Sequence, residues 1–240
     1  MNLNTILGIL SAIGFALPVL IIIIARLYMN ISLLALVAYF LFGFSYNLMV
    51  ENVLVVSPDT RRVVGVLINY LDVPFILTAM LMFCTGKWTE NAIKISMGIF
   101  GLFELVIFSK YQFSFLSSKY IMGPGILLIM GFSLYFFMNN IKLTIMQGKG
   151  VGKTLMVTSI LFAYGSYLIV YFFAFIQKAA NQADVFIIYY LTSIIFSGLM
   201  SAGLFYVQRR VREIKEVQNT RKELSVFFDH QPKRHKRYLQ

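Results

Sequence analysis

Residues 68–81 read INYLDVPFILTAML, an apolar stretch interrupted by one acid, Asp72, and one proline, Pro74. The surrounding composition decides what such a stretch means. The chain has 240 residues, of which 59% are hydrophobic and 16% aromatic, and its mean hydropathy is +0.77. These values describe an integral membrane protein rather than a soluble domain. At membrane depth a carboxyl is costly to bury, so Asp72 marks a functional position whose partner must be named.

A hydrocarbon core of roughly 30 Å takes about 20 apolar residues as helix. Runs of that kind fall at 5–25, 31–50, 64–84, 93–108, 121–138, 155–176 and 185–207. The expected fold is therefore an all-α integral membrane protein, a bundle of seven transmembrane helices over residues 1–208. Residues 209–240 form a basic, partly helical tail. The fourth and fifth runs are short, and Gly123, Pro124 and Gly125 are expected to loosen the start of the fifth helix. The first run lacks a basic leader and is too long for a signal peptide, so it reads as a retained span.

Of the 21 Lys and Arg, ten follow Val207. With seven spans the termini lie on opposite sides, and 16 basic residues fall on the tail's side against five on the other. The positive-inside rule then puts the C-terminus in the cytoplasm and the N-terminus outside, in a plasma (inner) membrane. Short connections make successive helices antiparallel neighbours. Between the second and third spans, Ser57, Pro58, Asp59 and Thr60 follow the β-branched run Val53, Leu54, Val55, Val56. Proline at the second position of a turn between apolar runs predicts a short external β-hairpin.

On a helix Asn69 shares the face of Asp72 and is its nearest candidate partner. Pro74 deprives the Tyr70 carbonyl of its usual donor. Glu104 is the other acid inside a span, and Gly98 and Gly101 beside it allow a neighbouring helix to approach. No basic residue faces either acid in the interior, so a neutral, hydrogen-bonded carboxyl is expected. In the seventh run Gly198 and Ala202 have the spacing that lets helix backbones meet. After it, Val207, Val211, Ile214 and Val217 recur at helical spacing among charges, predicting a continuation of the helix with a narrow apolar edge. The cluster Lys233, Arg234, Lys236, Arg237 fits anionic lipid or a protein partner rather than nucleic acid, since it is tethered beside the bilayer.

Other chemistry is missing. Residues 148–154, GKGVGKT, come close to a phosphate-binding loop, but Gln147 stands where the first glycine belongs and no strand precedes it. His230 and His235 are the two histidines and both lie in the tail, leaving a haem or zinc site in the bundle without His ligands. No nucleophile elbow occurs. Cys84 is the single cysteine and is expected to pack as a small hydrophobe. An enzyme is not expected, nor a metal.

The seven-helix core resembles the microbial (type 1) rhodopsins in length, external N-terminus, hairpin after the second helix and cytoplasmic tail. Their third helix carries Arg-Tyr-x-Asp-Trp; here Tyr70 and Asp72 match, while Asn69 and Val73 replace the arginine and tryptophan, and Pro74 is displaced from the family's proline. In their sixth helix an aromatic precedes Ala-Tyr-Pro in the retinal pocket, and this chain has Phe162, Ala163, Tyr164 and Gly165. In their seventh helix an Asp is followed four residues later by the lysine that binds retinal; those positions fall on Ile195 and Leu199. The resemblance implies that Asp72 occupies a counterion position and that Tyr70, Phe162, Tyr164 and Leu199 bound an apolar pocket. Without the lysine no Schiff base forms there, so covalent retinal and light-driven pumping are expected to be absent, with noncovalent carotenoid, retinal or lipid left open.

Two functions follow as expectations. One is a non-photoactive, rhodopsin-like protein acting by interaction, as a relay or scaffold through its tail, with lipids, a cytoplasmic or membrane protein, or a second copy as partner. The alternative is a carrier or channel for protons or a small solute, using Asp72, Asn69 and Glu104.

Overall fold

The computed structural model describes residues 3–148, 150–177 and 182–229. Lys233, Arg234, Lys236 and Arg237, and both histidines, lie outside them. Among the described residues seven helices are long and apolar enough to cross a membrane, so the chain is a multi-pass membrane protein. They are α1 (Leu3–Ile24), α2 (Ile31–Val50), α3 (Pro58–Met80), α4 (Lys87–Tyr111), α5 (Phe115–Gln147), α6 (Val151–Tyr171) and α7 (Gln182–Asp229).

The expected hairpin is not there: among the described residues no strand forms, and Pro58 opens α3. Ser57 caps that helix, its hydroxyl accepting from the Thr60 amide at 3.1 Å. Proline suits the first helical position, where its missing N–H is not needed, and Asp59 favours the positive end of the helix dipole. The signal read as a turn is equally a helix start. The apolar run that follows decides for the helix, because each further residue gains a backbone hydrogen bond.

The fourth and fifth spans are not short either, since α4 has 25 residues and α5 has 33. Pro124 sits inside α5, whose N-terminus is set by Ser114 accepting from the Ser117 amide. The glycine beside the proline serves packing: a Cβ at Gly125 would lie 2.6 Å from Val73 Cγ2, so α5 needs that gap to lie against α3. Gly148, at φ 61°, ends α5 in the left-handed conformation, which glycine adopts without steric cost. The GKGVGKT segment is thus a helix end followed by a helix start.

Helices α1, α2, α3, α5, α6 and α7 pack in a ring, with α7 returning to α1, while α4 lies outside against α3 and α5. The core fills the ring with Phe40, Ile76, Leu77, Met80, Tyr164, Phe196 and Met200, each fully buried. The peripheral position of α4 shows in its surface, where Ile95, Ile99, Leu102 and Leu105 are exposed. Apolar exposure of this kind suits lipid.

The closest helix contact joins α6 to α7. A Cβ at Gly152 would lie 2.7 Å from the Gly203 carbonyl oxygen, and one at Gly203 would lie 2.6 Å from Met156 Cγ. Gly198 and Ala202, in contrast, are exposed, and nothing lies within 4 Å of a Cβ built on Gly198. Nor does a neighbour approach Gly98 or Gly101. Spacing alone does not identify the face that meets a neighbour; the register of α7 turns Gly203 and Ser197 inward instead.

Past the bundle α7 continues without a break to Asp229. Its length is about 72 Å at 1.5 Å per residue, more than twice a hydrocarbon core. Val211, Ile214 and Val217 are exposed along this arm.

Candidate functional site

Asp72 lies midway along α3, and its partner is Tyr164 rather than Asn69. The Tyr164 hydroxyl donates to Asp72 Oδ1 at 2.7 Å across the bundle from α6. Asn69 makes no side-chain hydrogen bond among the described residues. The preference has a geometric reason: a helix neighbour three residues away leans along the same surface, whereas an opposed helix presents its side chain end-on. Nearby, Thr78 Oγ1 donates to the Pro74 carbonyl at 2.7 Å, so the proline turn is tied from within its own helix.

From Tyr164 a file of aromatic rings leads toward the N-terminal end of the bundle. Tyr164 meets Tyr167 edge-on at 5.6 Å between centroids, and Tyr167 stacks on Tyr189 of α7 at 5.9 Å. Tyr189 meets Tyr190 at 5.7 Å. The Tyr190 hydroxyl donates to Glu51 Oε1 at 2.7 Å. Tyr39 of α2 lies beside Tyr164 and Tyr167, and Ser193 Oγ of α7 donates to the Tyr189 carbonyl of its own helix at 2.8 Å. Glu51 caps the end of α2 and its carboxylate lies over Gly8 of α1, where a side chain would collide with it. One layer below, Asn47 Nδ2 donates to Ser11 Oγ at 3.2 Å.

Glu104 faces inward from α4, within electrostatic reach of Asp72. It is only 9% exposed, and its Oε1 has no hydrogen-bond partner. The hydroxyl of Tyr70 is also buried without a partner, its ring held between Phe108 and Phe113 at 6.3 and 5.8 Å. The ion pairs of Glu90 with Lys94 and of Arg209 with Glu213 lie on exposed helix surfaces, and neither interior acid has a cationic partner among the described residues.

The residues expected to bound an apolar pocket are not gathered into one. Tyr164 is fully buried and committed to Asp72 and Tyr167, Phe162 is exposed on the outer side of α6, and Tyr70 turns toward the α4–α5 connection. Leu199 is partly exposed on α7. Hollows at the surface lie elsewhere, one on the α7 arm beside Glu213 and Arg221, another between Arg62, Phe108 and Gln112. In α7 no lysine stands between 185 and 207, and Tyr164 is fully buried.

Toward the tail end no such file forms among the described residues. Ile76, Leu77, Met80, Phe196, Met200 and Met156 close it, all at most 1% exposed, and the buried Ser159 and Ser197 hydroxyls turn back onto carbonyls of their own helices. Lys153 Nζ donates to the Met82 carbonyl at 2.9 Å and ties the start of α6 to the end of α3.

Sequence reasoning missed Tyr39, Tyr167, Tyr189, Tyr190, Ser193 and Glu51. A signal existed: Tyr164, Tyr167 and Tyr171 recur at helical spacing, and an aromatic with a polar tip inside a span needs a partner for its hydroxyl. Counting Tyr as apolar for span assignment hides that need. No family model matches the chain, and neither a curated protein nor a solved structure does.

Proposed function

We propose that this is a non-photoactive, rhodopsin-like seven-helix protein that relays the state of its interior to a partner through the α7 arm. The observation that supports the reading most is the continuity of α7. One helix carries Tyr189, Tyr190 and Ser193 in the polar file and then runs on as an exposed, charged arm to Asp229. A helix that is a single hydrogen-bonded rod cannot shift at one end without moving the other. The absence of a Schiff-base lysine supports the non-photoactive part. In this reading the N-terminus is outside, the arm is cytoplasmic, and lipids and a cytoplasmic or membrane protein are the partners.

Removing residues 209–240 and copurifying both forms from native membrane tests it. The relay predicts that a protein recovered with the full chain disappears with the truncated one; recovery of the same proteins with both forms overturns it. The purified chain is expected to be colourless, and a visible absorption band would instead place a noncovalent carotenoid or retinal in the bundle.

A proton or small-solute carrier is the second reading, favoured by the two interior carboxyls without cationic partners. It requires a polar path on both sides of Asp72, which the tail end does not supply among the described residues. Loss of proteoliposome flux in both Asp72→Asn and Glu104→Gln would establish it, and unchanged flux would remove it.

A further inference from the structure

We infer that the hollow between the start of α3 and the α4–α5 connection binds the headgroup of an anionic phospholipid, one whose phosphate carries a glycerol. This site is independent of the relay. The hollow encloses about 600 Å³ at the N-terminal end of the bundle, and Arg62, Phe108, Ser109, Gln112, Phe113 and Ser114 line it.

Its charge is uncompensated. Arg62 is exposed and has no hydrogen bond or ion pair among the described residues, whereas Arg61 beside it donates to Asn52 Oδ1 at 2.6 Å. No acid lines the hollow among the described residues, and Asp59, in the first turn of α3, makes no ion pair with Arg62. Lys110 stands in the last turn of α4. The N-terminus of α5, capped by Ser114, adds the positive end of a helix dipole. An anion is the ligand this surrounding favours.

The donors and acceptors narrow its chemistry. Arg62 offers a planar fork that matches two phosphate oxygens. The Ser114 hydroxyl accepts from the Ser117 amide at 3.3 Å, which leaves its own hydrogen to donate, and the Gln112 side-chain amide is a further donor. Ser109 is the opposite case: its hydroxyl donates to the Leu105 carbonyl at 2.9 Å, so toward a ligand it can only accept. A phosphate suits the donors and a glycerol hydroxyl suits the acceptor. A choline or ethanolamine head would instead bring a cation beside Arg62 and find no carboxylate.

The walls make the ligand a lipid rather than a free phosphate. The rings of Phe108 and Phe113 meet at 5.0 Å with the Tyr70 ring against both, yet they stay 39% and 42% exposed. About one turn earlier on α4, Leu105 and Val106 are exposed on a helix that lies outside the ring of six. A lipid-facing surface thus leads to the hollow at the end of the spans, the depth at which a phospholipid carries its phosphate. A free anion would engage the donors and leave the rings uncovered.

The test titrates the full chain in detergent with dioleoyl phosphatidylglycerol and counts retained lipid by native mass spectrometry. The parent chain is expected to hold one phosphatidylglycerol in preference to dioleoyl phosphatidylcholine. Arg62→Gln is expected to weaken that binding roughly tenfold, the size of one charge-assisted pair. The Arg62 side chain holds no other part of the fold, so the thermal midpoint of this variant without lipid is expected to equal the parent's. Lys142→Gln removes an exposed charge near the far end of α5 and is expected to leave binding unchanged, and excess inorganic phosphate is expected not to displace the lipid. Equal retention of phosphatidylcholine, parent-like binding by Arg62→Gln, or an equal loss in Lys142→Gln overturns the inference. Displacement by inorganic phosphate also overturns it, because the hollow would then be a site for a free anion.

Discussion

The two halves of the bundle, divided at the level of Asp72, are held together differently. Toward the N-terminal end, helices meet through hydroxyls and carboxylates: Glu51 with Tyr190, Asn47 with Ser11, Tyr164 with Asp72. Toward the tail end they meet mostly through bare backbone and close-packed apolar side chains, above all where Gly152 lies against Gly203, with polar ties only where Thr144 meets Thr154 and Lys153 donates to the Met82 carbonyl. In lipid, where helices gain nothing by hiding apolar surface, close packing and hydrogen bonds are the available adhesives. The difference assigns them separate tasks. In the proposed relay, the polar half is the part that changes state, and the packed half holds α6 and α7 as one body that carries the change to the arm.

The tail half should be the more sensitive to volume. Gly203→Leu forces a side chain into the α6 backbone and is expected to cost about 3 kcal/mol, the upper range for overpacking, seen as a lower thermal midpoint in detergent. A cost near zero would mean that the seam is loose and the contrast between the halves wrong. Tyr164→Phe comes next. It strips the Asp72 carboxyl of its donor at the junction of the halves and is expected to cost about 1–2 kcal/mol in the same measurement.

Ser57→Ala removes the cap of α3 at the polar end and should cost about 1 kcal/mol. A hairpin in place of this helix start would make the change nearly neutral. The smallest effects are expected for Asn69→Ala and Gly198→Ala, each within about 0.5 kcal/mol, because neither side chain holds a partner. A large effect of Asn69→Ala would restore it as the partner of Asp72.

Much of this architecture was legible before any coordinates. Long apolar runs fix the number of spans, because a bilayer leaves the backbone no alternative to helix. The continuation of the last helix was readable from Val207, Val211, Ile214 and Val217 at helical spacing. What periodicity cannot supply is the rotation of each helix about its axis relative to its neighbours. That is why Gly198 and Ala202, correctly spaced, face outward, and why Asn69, on the right face of α3, is left without a bond while Tyr164 takes the carboxyl. The misread hairpin has a different origin. Ser-Pro-Asp-Thr serves as a turn or as a capped helix start, and only the length of the helix that follows separates them. The tyrosine file was hidden by a convention, since an aromatic that counts toward hydrophobicity is not searched for partners.

The proposed relay rests on α7 linking the interior around Asp72 to the arm. The most direct measurement is the distance between spin labels placed on exposed residues at the two sides of the tail end, Leu143 on α5 and Ile214 on the arm, compared between the parent chain and Asp72→Asn. The relay predicts that replacing the Asp72 carboxyl held by Tyr164 shifts the distance distribution, and that a three-glycine insertion after Gln208 abolishes the shift. Identical distributions in the parent chain and Asp72→Asn would contradict it.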